Sequence, residues 1–314
     1  MNEADFTAFL QETFPFSHGR GIGDDASVVK CGDVHQLISK DILIENIHFK
    51  LEHFTLEELA LKALAVNLSD IAAMGGEPQY FYVGLGFPQR MKKETCLDFF
   101  KGLKKGCQQW RVELAGGDFS ISPVMSISIT VVGKAQKPIY RHDAQTHDLV
   151  GITGPTGESA LGLKLLLQGI KNGYFVDKHK QVTSEIQKGQ ILSRYVHAMI
   201  DLSDGLLIDL NRVLTASKKG ARLYYQKLPV SQNLKKVCRE NGWDQYETVL
   251  AGGEDYVLLF TISRENQLKL RKENQNLGYY IIGEVTGIPG VLTVEHRGKE
   301  IQTTYLGYDH FQQK

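Results

Sequence analysis

Aspartate recurs beside glycine, or in a near variant of that pairing, at five places: Gly23-Asp24-Asp25, Lys40-Asp41, Ser69-Asp70, Gly116-Gly117-Asp118 and Asp201-Leu202-Ser203-Asp204-Gly205. A sixth acidic run is Gly252-Gly253-Glu254-Asp255. Several of these acids fall at the expected ends of strands or helices, next to apolar segments. Burying so many carboxylates without cations is costly. Hard divalent cations held through carboxylate oxygens offset that cost, and Mg²⁺ typically bridges carboxylates and nucleotide phosphates. Taken singly, each motif reads as a turn or a cap, since Asp and Gly are common turn residues and Asp is a good N-cap. Taken together at element ends, they point to metal chemistry without identifying the reaction.

Familiar nucleotide and hydrolase signatures are absent from the sequence. There is no G-x-x-x-x-G-K-[ST] loop, no G-x-G-x-x-G after a strand, no H-E-x-x-H and no G-x-S-x-G. The kinase pair H-R-D and D-F-G is missing as well. The glycine loop from Gly151 through Gly154 to Gly157, between an expected strand and helix, reads either as a plain connection or as a set of N–H groups facing an anion.

The elements that position these acids follow from periodicity. Residues 4–14 read as an amphipathic helix carrying Phe6, Phe9, Leu10 and Thr13 on one side. Strands are expected at 26–30, 35–44 and 80–87. Thr55 opens a helix at 56–74, with Glu58 completing a capping box. A helix near 92–109 follows. Residues 124–132 alternate, Met125, Ile127, Ile129 and Val131 against Ser126, Ser128 and Thr130, which predicts a half-buried strand. The polar stretch 134–148 has no apolar period and marks a boundary, giving domains at 1–137 and 138–314. The second half reads as strand 149–153, helix 157–170, a strand or turn at 198–202 and helix 205–219. Strand 256–262, a helix at 264–277 capped by Ser263, and strands near 279–286 and 291–296 complete it. Residues 171–190 show no clear pattern. Strands and helices mix without a strict βαβ rhythm, so the expected class is α+β. Leu68-Ser69-Asp70 and Leu202-Ser203-Asp204 hint at two related halves.

Composition bounds the function. With 36 Lys+Arg against 36 Asp+Glu, the formal net charge is zero, so the basic excess of a dedicated nucleic-acid binder is missing and no nucleic-acid partner is expected. No run of 18 apolar residues occurs, so no membrane association is expected. The start, MNEADFTAFLQETFPF, does not read as a signal peptide. Cys31, Cys96, Cys107 and Cys238 form no C-x-x-C pair and read as reduced thiols, in keeping with a cytoplasmic location.

The motifs together resemble the thiamine-monophosphate kinase family, within the superfamily of aminoimidazole ribonucleotide synthetase. The resembling stretches are GIGDDASVV (21–29), DILIENIHF (41–49), ALAVNLSDIAAMGGEP (63–78), AGGDF (115–119), ITGPTGESALGL (152–163), IDLSDGL (200–206), AGGEDYVLLF (251–260) and GYDHF (307–311). They come in the family's order and span nearly the whole chain. The resemblance implies two α+β domains and a homodimer formed across the N-terminal sheet. It implies transfer of the γ-phosphoryl of ATP to thiamine monophosphate, with several Mg²⁺ ions in a cleft where aspartates converge. It places Asp25, Asp41, Asp70, Asp118, Asp201 and Asp204 at metal positions, and Gly117, Asp118, Arg141 and Ser203 at the nucleotide. His48, Glu254 and Tyr305 fall on the substrate side. No dedicated catalytic residue is implied, because the attacking phosphate oxygen is already anionic and the work is positioning and charge neutralisation.

Residue by residue, plainer readings stand beside these. Arg141 reads equally as a solvated linker arginine, His48 as a structural strand histidine, and Tyr305 as core packing. The glycines before Glu254 read as turn geometry.

The sequence departs from the family pattern where Ser39-Lys40-Asp41 replaces Ser-Thr-Asp. A lysine there either competes with the metal for carboxylates or points outward. Phe119 replaces a hydroxyl residue, and the glycine usual before the histidine motif is displaced at Glu45-Asn46-Ile47-His48. The segment 171–193 lacks the family's proline. Alternatives are another ATP-using superfamily member and a non-catalytic nucleotide binder in which Lys40 stands in for Mg²⁺. The first usually needs a reactive cysteine near the start, where only Cys31 is available, or a terminal cysteine, where this sequence ends FQQK.

Overall fold

The alternating stretch around Ile127 becomes the centre of a sheet. The structure, a computed structural model, describes residues 3–302 together with Gly307 and Tyr308. The first half runs α1 (Glu3–Thr13), β1 (Gly19–Arg20), β2 (Ser27–Cys31), β3 (Val34–Ile44), α2 (Leu56–Ala73), β4 (Glu77–Pro88), α3 (Lys93–Trp110), β5 (Glu113–Ser122) and β6 (Ser126–Ala135). Its strands lie in the order β1-β2-β3-β6-β4-β5, antiparallel except for the β4–β5 pair, which α3 connects. Ile127, Ile129 and Val131 are fully buried on the α2 side, while Ser126, Ser128 and Thr130 are half-buried on the outer side. That is the period-2 pattern of a sheet covered on one face.

Helix α2 is wrapped almost all round, with Leu59, Ala63, Leu64, Leu68 and Ile71 inaccessible to solvent. It packs on the first sheet and also touches the second half, so both domains lean on it. Thr55 accepts from the Glu58 N–H at 3.2 Å and Glu58 accepts from the Thr55 N–H at 2.8 Å, the reciprocal box expected from the sequence.

The second half runs β7 (Leu149–Ile152), α4 (Glu158–Leu167), α5 (Tyr174–Lys180), α6 (Ile186–Leu192), β8 (Ala198–Asp201), α7 (Leu206–Ser217) and β9 (Gly220–Tyr224). It continues with α8 (Gln232–Asn241), α9 (Gln245–Ala251), β10 (Leu258–Ile262), α10 (Arg264–Glu273), β11 (Tyr280–Thr286), β12 (Leu292–His296) and β13 (Lys299–Glu300). The sheet order is β13-β12-β9-β11-β7-β10-β8, antiparallel except for β9–β12. A separate apolar core built on Val150, Ile152, Leu207, Leu210, Leu223 and Leu259 lies beneath it. No helix among the described residues is long and apolar enough to cross a membrane.

Sequence periodicity missed β1, β5, β9, α8, α9 and β13, and left 171–190 unassigned where α5 and part of α6 stand. Strand β5 carries two glycines and pairs with β4 alone, so its residues show almost no burial alternation. Ser263 caps α10 as expected, accepting from the Asn266 N–H at 3.1 Å.

Candidate active site

Three aspartates from three elements meet where the two domains touch. Asp25 precedes β2, Asp70 lies near the end of α2, and Asp201 ends β8. One carboxylate oxygen from each falls within 4.8 Å of the others. Asp201 Oδ2 is buried and has no hydrogen-bond partner among the described residues. A buried orphan oxygen beside two more carboxylates is the donor set a hard cation takes.

Their electrostatics show the strain of close like charges. Burial, then Asp41, Asp201 and Asp25, push the Asp70 carboxyl well above the usual carboxylate range. Burial and Asp25 do the same to Asp201. Asp41 is pushed up to about 6 by burial and by Asp204 and Asp25. Burial also raises Asp25, against the pull of Arg141. Among the described residues, five of the six aspartates expected at metal positions therefore lie close enough to interact. Asp118 does not join them. It is exposed on β5, where Gly117 pairs with Val83 and Asp118 with Gly84, which turns its side chain to the outer face of the sheet.

Arg141 is no solvated linker residue. Its Nη2 donates to Asp25 Oδ1 at 2.5 Å and its Nε to Asp25 Oδ2 at 3.4 Å. Burial alone lowers the guanidinium, and Asp25 more than reverses this. The Arg141 N–H donates to Asp24 at 2.9 Å, and Arg20 pairs with the other oxygen of Asp24. Arg212 bridges Asp204 and the fully buried Asp209 at 2.6 Å each. Ser203 Oγ donates to Asp204 at 3.3 Å, and the Ser203 carbonyl accepts from the Glu254 N–H at 2.7 Å.

Lys40 takes the outward course. Side chains alternate along β3, so Ser39 and Asp41 face α2 and Lys40 faces away. Ser39 Oγ donates to Asp70, whereas Lys40 Nζ donates to Ser128 Oγ at 2.6 Å on the outer face. Competition by Lys40 for the metal carboxylates does not arise, and the reading that has it stand in for Mg²⁺ loses its basis. Phe119 sits 66% exposed with its ring 6.3 Å from Phe100 of α3. Gly117 has a backbone reason: a Cβ there would lie 2.0 Å from the Val83 carbonyl.

The glycine loop before α4 does present N–H groups to an anion, but the anion is internal. The Gly157 and Ser159 N–H groups donate to Asp255 at 2.6 and 3.0 Å. Helix α7 repeats the device: the Asp204 and Gly205 N–H groups donate to Asp209 at 3.0 and 3.1 Å. Burial pushes both carboxyls up to about 7.

On the substrate side, His48 Nδ1 accepts from the Ile44 N–H at 2.9 Å, which fixes its ring in the turn after β3. Glu254 contacts Lys62 Nζ at 3.1 Å and His179 Nδ1 at 3.3 Å. Burial raises Glu254, yet Lys62, His179 and, more weakly, His48 bring it below the usual carboxylate range. Tyr305 lies outside the described residues. Lys62 and His179 escaped sequence reasoning. The available signal was a lysine inside the apolar helix run Leu59–Leu68.

Residues 23–135 match the N-terminal domain of AIR synthase related proteins, and residues 149–294 match the C-terminal domain. The thiamine-monophosphate kinase of Buchnera aphidicola subsp. Acyrthosiphon pisum is 37% identical over 308 residues, covering 93% of this chain and 92% of that protein. That of Bacillus subtilis is 32% identical over 311 residues, covering 93% of each. Among solved structures, AaThiL complexed with AMPPCP and TMP superposes with a TM-score of 0.88 at 31% identity, over 99% of this chain and 97% of that one. The hydrogenase maturation protein HypE of E. coli, at 16% identity, covers 97% of each chain with a TM-score of 0.70 and shows the fold alone. Shared sequence over nearly the full length, joined to the acidic cluster between two matching domains, places the chain in the thiamine-monophosphate kinase family.

Proposed function

We propose that the protein transfers the γ-phosphoryl of ATP to thiamine monophosphate, yielding thiamine diphosphate and ADP, by direct in-line displacement. The observation that carries this is the meeting of Asp25, Asp70 and Asp201 within 4.8 Å at the junction of the two domains. These three, with Asp41 and Asp204 beside them, would hold Mg²⁺. When bound, Mg²⁺ supplies neutralisation of phosphate-oxygen charge, the main requirement of phosphoryl transfer.

The chain's own residues do the positioning. Arg141 lies against Asp25 with a guanidinium suited to forked contact with a phosphate. Gly117 and Ser203 border the nucleotide. Glu254, held ionised, faces the cationic thiamine end, with His48 on the same side. The acceptor is an anionic phosphate oxygen, so no general base is required and none is assigned.

The same proposal includes a homodimer through the outer face of the first sheet. There Ile42 is 53% exposed and Tyr82 46%, beside Ser128 and Thr130. We also place the domain boundary between residues 137 and 138, and the protein in the cytoplasm, where its four free cysteines stay reduced.

The test is product analysis of the purified protein with ATP, Mg²⁺ and thiamine monophosphate. Thiamine diphosphate should appear only in the complete mixture and vanish with EDTA. Nucleotide binding with no thiamine diphosphate formed would sink the kinase reading. Light scattering should give a dimer mass, and Ile42→Glu should give a monomer.

A further inference from the structure

Lys62 sits in the middle of α2 with its side chain wholly shielded from solvent. A buried ammonium needs partners, and this one has three. Its Nζ donates to the His179 carbonyl at 3.0 Å, contacts Glu254 Oε1 at 3.1 Å, and lies 5.4 Å from the centre of the Phe54 ring. His179 Nδ1 contacts the other oxygen, Glu254 Oε2, at 3.3 Å, and Ser159 Oγ at 3.1 Å. Both carboxylate oxygens of Glu254 are thus held, one from each domain. Its backbone is held too: at φ 65° it takes a conformation unfavourable for a residue with a side chain, fixed by the N–H bond to Ser203. Yet 28% of the Glu254 side chain stays exposed, so the clamp does not close it off from solvent.

Helix α2 carries Asp70 as well as Lys62. Eight helical steps separate them, a rise of about 12 Å. One rigid element therefore fixes the distance between the metal-type carboxylates and the clamp on Glu254.

We propose that Lys62 is a positioning residue that holds Glu254 as a fixed anionic contact for the cationic heteroaromatic end of the phosphate acceptor, at a set distance from the phosphoryl-transfer centre. This rests on the kinase reading and on Glu254 facing the acceptor. A buried ion pair by itself is weak grounds for a stabilising role. A clamp makes a sharper demand, that Lys62 act through Glu254 and on one substrate only.

Steady-state kinetics of wild type, Lys62→Met, Glu254→Gln and the double variant test this, with ATP and thiamine monophosphate each varied. Lys62→Met should raise KM for thiamine monophosphate at least tenfold, with KM for ATP within twofold and kcat less affected than KM. The double variant should be no worse than Glu254→Gln. Equal increases in both KM values, or multiplying losses in the double variant, would make Lys62 merely structural and overturn the proposal. If Lys62→Met does not fold by circular dichroism, Lys62→Gln, which removes the charge on a polar side chain one atom shorter, carries the same test. Wild type forming no thiamine diphosphate would refute the kinase reading itself. Active wild type with Glu254→Gln leaving the acceptor KM unchanged would overturn the clamp and leave the kinase reading standing.

Discussion

Ser39, Lys40 and Asp41 are consecutive, yet their side chains leave β3 on opposite faces, with Ser39 on Asp70 and Lys40 on Ser128. A unit charge turned to the far side of a sheet and bonded to Ser128 there acts weakly on the cluster. Lys40→Thr should therefore change Mg²⁺ affinity less than twofold, read by calorimetric titration. A marked gain would mean that Lys40 reaches the carboxylates after all. At this scale the acids were legible because aspartate beside glycine is visible in a string of letters. Their partners were not. Lys62 stands out only as a lysine in an apolar run, with nothing to name its partners until α5 and the Glu254 turn close over it, and Asp255 looks like half of a substrate motif until its carboxylate is found on the Gly157 and Ser159 N–H groups.

Helices α4 and α7 each begin on a buried aspartate from elsewhere in the fold or from the next turn, which satisfies N–H groups that the helix leaves open. The turn into α4 depends on Gly157, at φ 83°, where a Cβ would lie 2.4 Å from the Thr248 carbonyl. Gly157→Ala should cost about 1–3 kcal/mol, the range for a strained left-handed residue, measured by urea unfolding. A loss within error would show that the α4–α9 contact gives way easily. Elements with strong alternation or a capping box, such as β6 and α2, were readable from sequence. Strand β5 was not, because its glycines are required by the close approach to β4. Helix α8 was not, because its apolar residues are only three, Leu234, Val237 and Cys238, among polar ones.

The whole molecule keeps a store of carboxyls raised by burial, with Asp41 at about 6 and Asp209 and Asp255 at about 7. Unfolded, they return to the ordinary range, so between that range and the raised values the folded chain binds more protons. Stability contributed by these groups is then fully present below the ordinary carboxylate range and is lost as pH rises from that range through 6 to 7. Glu254, lowered instead, lies outside that window. In EDTA, Tm should fall between pH 5 and 7, and Mg²⁺ should raise Tm more at pH 8, where Asp41 is ionised, than at pH 5. An equal Mg²⁺ increment at both pH values would argue against the cluster as the binding place. The filled starts of α4 and α7 carry a consequence for traffic into the cleft. A bare phosphate or sulfate meets a ring of negative charge, and both helix starts that could have welcomed it are already taken by the protein's own acids. Entry then belongs to anions that arrive with a cation escort, so ordinary inorganic anions should be poor rivals for a chelated nucleotide.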